Sequence, residues 1–66
     1  MNKEEIKALR EATGLSQTAF GALVYANYHT IGKWESGAAL PRPVSVARLE
    51  QLKKELEAKL ELETAS

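Results

Sequence analysis

The sequence predicts an all-α fold, a compact bundle of four to five helices with a long helix at its C-terminal end. Two observations support this. Apolar residues recur at intervals of three and four along most of the chain, as they do on the buried face of a helix. Gly14, Gly37, Pro41 and Pro43 fall between these apolar segments, where they end one helix or precede the next. The length, 66 residues, suits one domain spanning residues 1–66.

The first helix is predicted from about Lys3 to Thr13. Asn2 is a good N-cap, and Glu5 three residues later completes a capping box. Gly14 suits the left-handed conformation that commonly ends a helix. The expected buried stripe consists of Ile6, Leu9 and Ala12.

Two short helices are predicted next, from about Gln17 to Val24 and from about Tyr28 to Ser36. Ser16 and Asn27 are their expected N-caps, and Gly37 follows the second. The residues expected to face inward are Phe20, Leu23, Val24, Ile31 and Trp34. Two short packed helices joined by a tight turn form a helix-turn-helix, whose second helix enters the major groove of DNA.

The last helix is predicted from about Val44 to Leu62, starting near Pro43. It carries an apolar stripe, which has two interpretations: Val46, Leu49 and Leu52 close the core, or the stripe also pairs with a second copy. Leu56 and Leu60 extend beyond what so small a domain covers, and a partner helix from a second copy would bury them. The expected dimerisation residues are Leu49, Leu52, Leu56 and Leu60.

Composition excludes several classes of function. The chain has no cysteine and one histidine, and it lacks aspartate, so neither an ordinary zinc site nor a catalytic triad is expected. We expect no enzymatic activity, no cofactor, no small-molecule substrate and no membrane association, because no apolar run is long enough to span a bilayer. No signal peptide opens the chain, which favours a cytoplasmic location. Nine basic and nine acidic residues balance to zero, and this neutrality counts against a DNA-binding protein.

One set of residues nevertheless resembles a known family, the DNA-binding domain of lambda-type phage repressors and Cro, also called the Xre-like family. The resemblance covers residues 3 to 52. It departs at Tyr25, where the family usually has glycine with positive φ, so either Tyr25 or Asn27 is expected to take that conformation. The matching residues are Ser16-Gln17, Gly21, Thr30-Ile31, Trp34-Glu35, Gly37 and Pro41, together with Ile6, Leu9 and Arg10 in the first helix.

The resemblance implies a role for each exposed polar residue around the third helix. It implies an ion pair between Arg10 and Glu35 that links the first and third helices. The implied base contacts are Tyr28, His29, Gly32 and Lys33, and the implied phosphate contacts are Gln17, Asn27, Ser36 and Arg42. The resemblance also implies that Gln17 braces the third helix, and Tyr25 is expected to cover the turn within reach of the DNA backbone. The alternative for His29, Lys33 and Arg42 is that they are solvated surface residues.

The function expected from this resemblance is a sequence-specific transcriptional regulator. It would be a repressor that binds double-stranded DNA at a near-palindromic operator as a homodimer. The alternative is a protein-interaction module that uses the same fold to bind a partner protein, such as an antitoxin binding its toxin. The neutral charge favours this alternative.

Overall fold

The structure, a computed structural model, describes residues 1–65, and the side chains of residues 1–62. The described chain is all-helical, which confirms the predicted fold class. Helix α1 is followed by the two short helices α2 and α3, and then by the long helix α4. Their bounds are α1 Lys3–Thr13, α2 Gln17–Leu23, α3 Tyr28–Ser36 and α4 Pro43–Ala65.

The ends of the first three helices are set by local side chains. Asn2, Ser16 and Asn27 each accept a hydrogen bond from the backbone N–H three residues on, which satisfies one of the free donors at a helix start. Gly14 and Gly37 end α1 and α3 with φ values of 73° and 84°. All five residues were predicted in these roles, and their capping is confirmed.

The core lies where the four helices meet. Helix α3 packs against α1 and α2, and α4 packs against α1. The buried apolar residues are Ile6, Leu9, Phe20, Val24, Ile31, Trp34 and Leu49.

Two residues expected in the core are exposed. Ala12 lies at the edge of the contact between α1 and α4, where neither helix covers its methyl group. Leu23 is 37% exposed, because α2 ends there and Val24, four residues after Phe20, takes the inward position instead.

The turn between α2 and α3 depends on Tyr25, which adopts φ of 62°. The suggestion that Asn27 takes the unusual conformation is wrong: its φ is −87°, because an N-cap needs extended backbone. Ala26 N–H donates to Gly21 O at 2.9 Å. A Cβ on Gly21 would lie 2.2 Å from the carbonyl oxygen of Ala26, so this close approach of α2 and the turn requires glycine.

Helix α4 is fastened to the end of α2 by two hydrogen bonds. Ser45 Oγ donates to Val24 O at 2.7 Å, and Arg48 Nε donates to Leu23 O at 3.1 Å. Carbonyls at the end of a helix have no intrahelical partner, so these side chains supply what α2 lacks. The bonds seat Leu49 in the core, fully buried.

The distal half of α4 extends past the core of the molecule. The domain measures 40 × 21 × 19 Å. Leu52 and Leu56 are half-buried against the core, whereas Leu60 is 52% exposed. Leu49 has no accessible surface, so its expected role in dimerisation is wrong. None of the helices in residues 1–65 is both long and apolar enough to cross a membrane.

Candidate nucleic-acid interface

The inner side of α3 is attached to α1 by an ion pair. Arg10 Nε donates to Glu35 Oε2 at 2.6 Å, and Arg10 Nη2 donates to Glu35 Oε1 at 3.1 Å. Arg10 Nη1 also donates to Leu15 O at 3.3 Å, just before α2. The two charged side chains are only 20% and 9% exposed. The predicted pair is therefore present, and it fixes the axis of α3 relative to α1.

Gln17 extends this network to α2. Its Nε2 donates to Glu35 Oε1 at 3.3 Å, so one carboxylate receives side chains from two helices. A side-chain amide has two N–H groups, and the second remains to serve a phosphate. Gln17 therefore braces α3, as the resemblance implies, and its phosphate contact stays a prediction.

The network keeps Glu35 ionised. Hydrogen bonding from the Arg10 guanidinium holds the pKa of Glu35 below its ordinary value, and Gln17 acts in the same direction. Burial of the carboxylate opposes this effect but does not reverse it. The charge that anchors α3 is therefore present at neutral pH.

The outer side of α3 carries the residues predicted to read bases. Tyr28 and His29 lie at its N-terminal end with ring centroids 4.0 Å apart and planes inclined by 32°. Tyr28 is half exposed, and both His29 and Lys33 are exposed. Between them, Gly32 presents bare backbone. This side offers hydrogen-bond donors on a helix whose opposite side is held by Ile31, Trp34 and Glu35.

Gly32 has no internal packing that requires glycine. A Cβ there would meet only Gln17 Nε2, at 3.9 Å, which is an ordinary contact distance. It therefore differs from Gly21, where a Cβ is excluded by backbone. Packing within the domain therefore leaves room for a side chain at position 32.

Ser36 is poorly placed for its predicted phosphate contact. Its hydroxyl donates to Lys33 O at 3.1 Å. A phosphate accepts hydrogen bonds and does not donate them, so Ser36 would first have to break this bond. The Ser36 hydroxyl is therefore not available to a phosphate while this bond is present.

A groove of about 420 Å³ lies between the turn, α3 and the loop before α4. It is lined by three of the predicted site residues, Asn27, Lys33 and Arg42, and by Tyr25 and Leu40. Among the described residues that line it there is no acid, so its two cations give it local positive charge in a neutral protein. Asn27 Oδ1 accepts from Thr30 N–H at 2.9 Å, which leaves the amide N–H groups as donors.

The candidates thus lie in three places: Tyr28 and His29 at the start of α3, Gln17 beside Gly32, and Asn27, Lys33 and Arg42 at the groove. Tyr25, expected from the sequence to cover the turn and to lie within reach of the DNA backbone, lines this groove. Leu40 was not predicted as a site residue, and the sequence gave no signal for it. Comparison with protein-family models, with curated proteins and with solved structures found no match. The family resemblance therefore stays a prediction.

Proposed function

We propose that the protein binds double-stranded DNA through the outer side of α3 and acts as a sequence-specific transcriptional regulator, a repressor in the form of a homodimer. The observation that carries this proposal is the contrast between the two sides of α3. One side is held by the Arg10–Glu35–Gln17 network. The other presents exposed donors beside a groove lined by cations.

Base contacts are assigned to three side chains, and Gly32, which has no side chain, is assigned a role in close approach. Lys33 donates to guanine O6 and N7, the acceptors that mark guanine in the major groove. His29 donates to the same kind of edge, and the ring of Tyr28 packs on a thymine methyl group. Gly32 lets the helix backbone approach the base pairs closely.

Phosphate contacts are assigned to Arg42, Asn27 and the second N–H of Gln17. Only Arg42 among these carries a charge, which fits the zero net charge of the chain. Each cation that neutralises a phosphate adds about −0.9 to the slope of log affinity against log salt. We therefore expect a shallow but negative slope.

Fluorescence anisotropy with a duplex of random sequence, titrated from low to physiological salt, tests DNA binding. We expect affinity to fall as salt rises. Arg42→Ala should reduce the slope by about 1 per bound copy, because one phosphate contact is lost. Lys7→Ala, at an exposed position of α1, is the matched control and should leave the slope unchanged. Salt-independent binding, or none, would contradict the proposal.

A homodimer is proposed through the distal half of α4. Two grooves flank Leu56 where α4 leaves α1, of about 250 and 280 Å³, and Ala12 contributes to both. Residues 43–54 include three basic residues and one acidic residue, whereas residues 55–65 include one basic residue and four acidic residues. Antiparallel pairing would bring opposite charges together and bury Leu56 and Leu60. A two-fold dimer would then require a near-palindromic operator.

The second candidate function is a protein-interaction module, such as an antitoxin that binds its toxin. Leu40 is 84% exposed and Val44 56% exposed, on the loop before α4 and at its first turn. Exposed apolar residues of this kind favour contact with another protein. The same salt titration separates the two functions, because a module without DNA affinity gives no signal with the random duplex.

A further inference from the structure

Tyr25 holds a backbone conformation that residues with a Cβ disfavour. Among the described residues it is the only one other than glycine with positive φ, at 62°. Left-handed backbone crowds the Cβ against the following carbonyl, so a tyrosine persists there only when something else favours its side chain.

The fold itself gives that side chain little use. Tyr25 is 65% exposed, whereas its neighbour Val24 is fully buried and fills the core beneath the turn. The chain reversal is held by the Ala26 N–H bond to Gly21 O and by Ser45 on Val24 O. Glycine at position 25 would adopt the same φ without crowding.

The side chain instead lines the groove beside α3. Tyr25 and Leu40 are the exposed apolar residues lining it, and Arg42, Lys33 and Asn27 supply its donors. This pairing of apolar and cationic groups matches one sugar–phosphate unit of a nucleic acid. The charged phosphate needs donors, and the carbon face of the deoxyribose needs an apolar surface.

We propose that Tyr25 contacts the DNA backbone, its ring packing on a deoxyribose while Arg42 and Asn27 hold the adjoining phosphate. This rests on the proposed function of DNA binding. The contact is not sequence-specific, because every nucleotide presents the same sugar. Its effect is to fix how α3 sits in the groove.

The test compares Tyr25→Gly and Tyr25→Phe with the wild type, by thermal melting and by anisotropy with random and selected duplexes. Tyr25→Gly should melt at an equal or higher temperature, and should bind both duplexes roughly 3- to 10-fold more weakly, as when other aromatic packing contacts are lost. The salt slope should not change, since no charge is removed, unlike in Arg42→Ala. Tyr25→Phe should bind as the wild type does.

Three outcomes would overturn this proposal. They are wild-type affinity in Tyr25→Gly, loss confined to the selected duplex, and a Phe variant as weak as the Gly variant. If Tyr25→Gly melts at a lower temperature, Tyr25→Asn replaces it, because asparagine tolerates the left-handed region and lacks the ring. If the wild type binds no duplex, both the proposed function and this contact are refuted. If the wild type binds and Tyr25→Gly binds equally well, only this contact is refuted.

Discussion

Arg10 and Glu35, 25 residues apart in sequence, are joined by two hydrogen bonds of 2.6 and 3.1 Å that run from α1 to α3. The bond from Gln17 to the same carboxylate brings in α2. A helix that reads base edges must be held at a fixed angle, because a small tilt moves its side chains away from the bases. The pair therefore links the stability of the domain to the geometry of the proposed interface.

Removal of the Glu35 charge should destabilise the fold. Glu35→Gln leaves Arg10 mostly buried without a counter-ion. Such a loss costs about 3–5 kcal/mol for a fully buried pair and up to about 1 kcal/mol for an exposed one, so we expect about 2–3 kcal/mol here. Urea unfolding followed by circular dichroism measures it. The exposed carboxylate Glu50 gives the control, Glu50→Gln, and equal stabilities of the two variants would refute the structural role of the pair.

The same pair predicts how stability depends on pH. The folded-state pKa of Glu35 lies below its ordinary value of about 4.5, so its contribution to stability is present above that pH. The contribution is lost as pH falls through the lower, folded pKa, where the carboxylate takes up a proton. The stability difference between wild type and Glu35→Gln should be constant from pH 6 to 8 and should shrink below about pH 4.5. A difference that persists unchanged to pH 2.5 would contradict this assignment.

Gly21→Ala should be strongly destabilising. Its Cβ would lie 2.2 Å from Ala26 O, which is backbone and cannot rotate away. The turn would have to shift, and overpacking of this kind costs about 1–3 kcal/mol or more. Thermal melting measures the loss. A melting temperature at or above that of the wild type would show that the crossing of α2 and the turn tolerates a methyl group.

Gly32→Ala should have opposite effects on stability and on DNA binding. Its Cβ meets nothing closer than 3.9 Å, and alanine is favoured over glycine in an exposed helix by about 1 kcal/mol. The variant should therefore melt at a higher temperature, but bind DNA more weakly, because the methyl group keeps the helix away from the base edges. Unchanged affinity would show that Gly32 does not face DNA.

The proposed dimer predicts a change in mass. Leu56→Lys combined with Leu60→Lys should convert a dimer into a folded monomer, since lysine at these positions cannot be buried against a second copy. Analytical ultracentrifugation measures the mass, and circular dichroism checks that the variant is folded. Leu60→Lys alone is the milder variant, because Leu56 also packs on the core. Ala22→Lys, at an exposed position of α2, is the control. A wild type that stays monomeric at high micromolar concentration would place any dimer contact elsewhere.

Sequence reasoning succeeded where the signal is local. The bounds of α1 and α3 follow from caps such as Asn2, Asn27 and Gly37, which act within four residues. The turn was ambiguous, because both Tyr25 and Asn27 stood as candidates for the left-handed conformation, and only the capping bond to Thr30 decides between them. The ion pair came from the resemblance, and its geometry agrees.

Longer-range features were out of reach of the sequence. The hydrogen bonds from Ser45 and Arg48 to α2 depend on where α4 docks, and no local pattern specifies that position. The groove is formed by three separate segments, so Leu40 could not be assigned to it from sequence. The burial of Leu49 was one of two interpretations of its stripe, and the docking of α4 shows that it is the correct one for this residue. This docking explains why the apolar stripe of α4 divides into a core residue, Leu49, and an exposed end at Leu60.

The central claim is that α3 reads base sequence. Its most direct test selects duplexes from a randomised pool, and then measures the affinity of the wild type and of Lys33→Ala for the selected duplex and for a scrambled duplex. We expect enrichment of a near-palindromic site. Lys33→Ala should lose about 1–3 kcal/mol on that site and far less on the scrambled duplex, because it removes a base contact. If no sequence is enriched, or if the variant weakens on both duplexes equally, α3 does not read bases through Lys33 and the claim is contradicted.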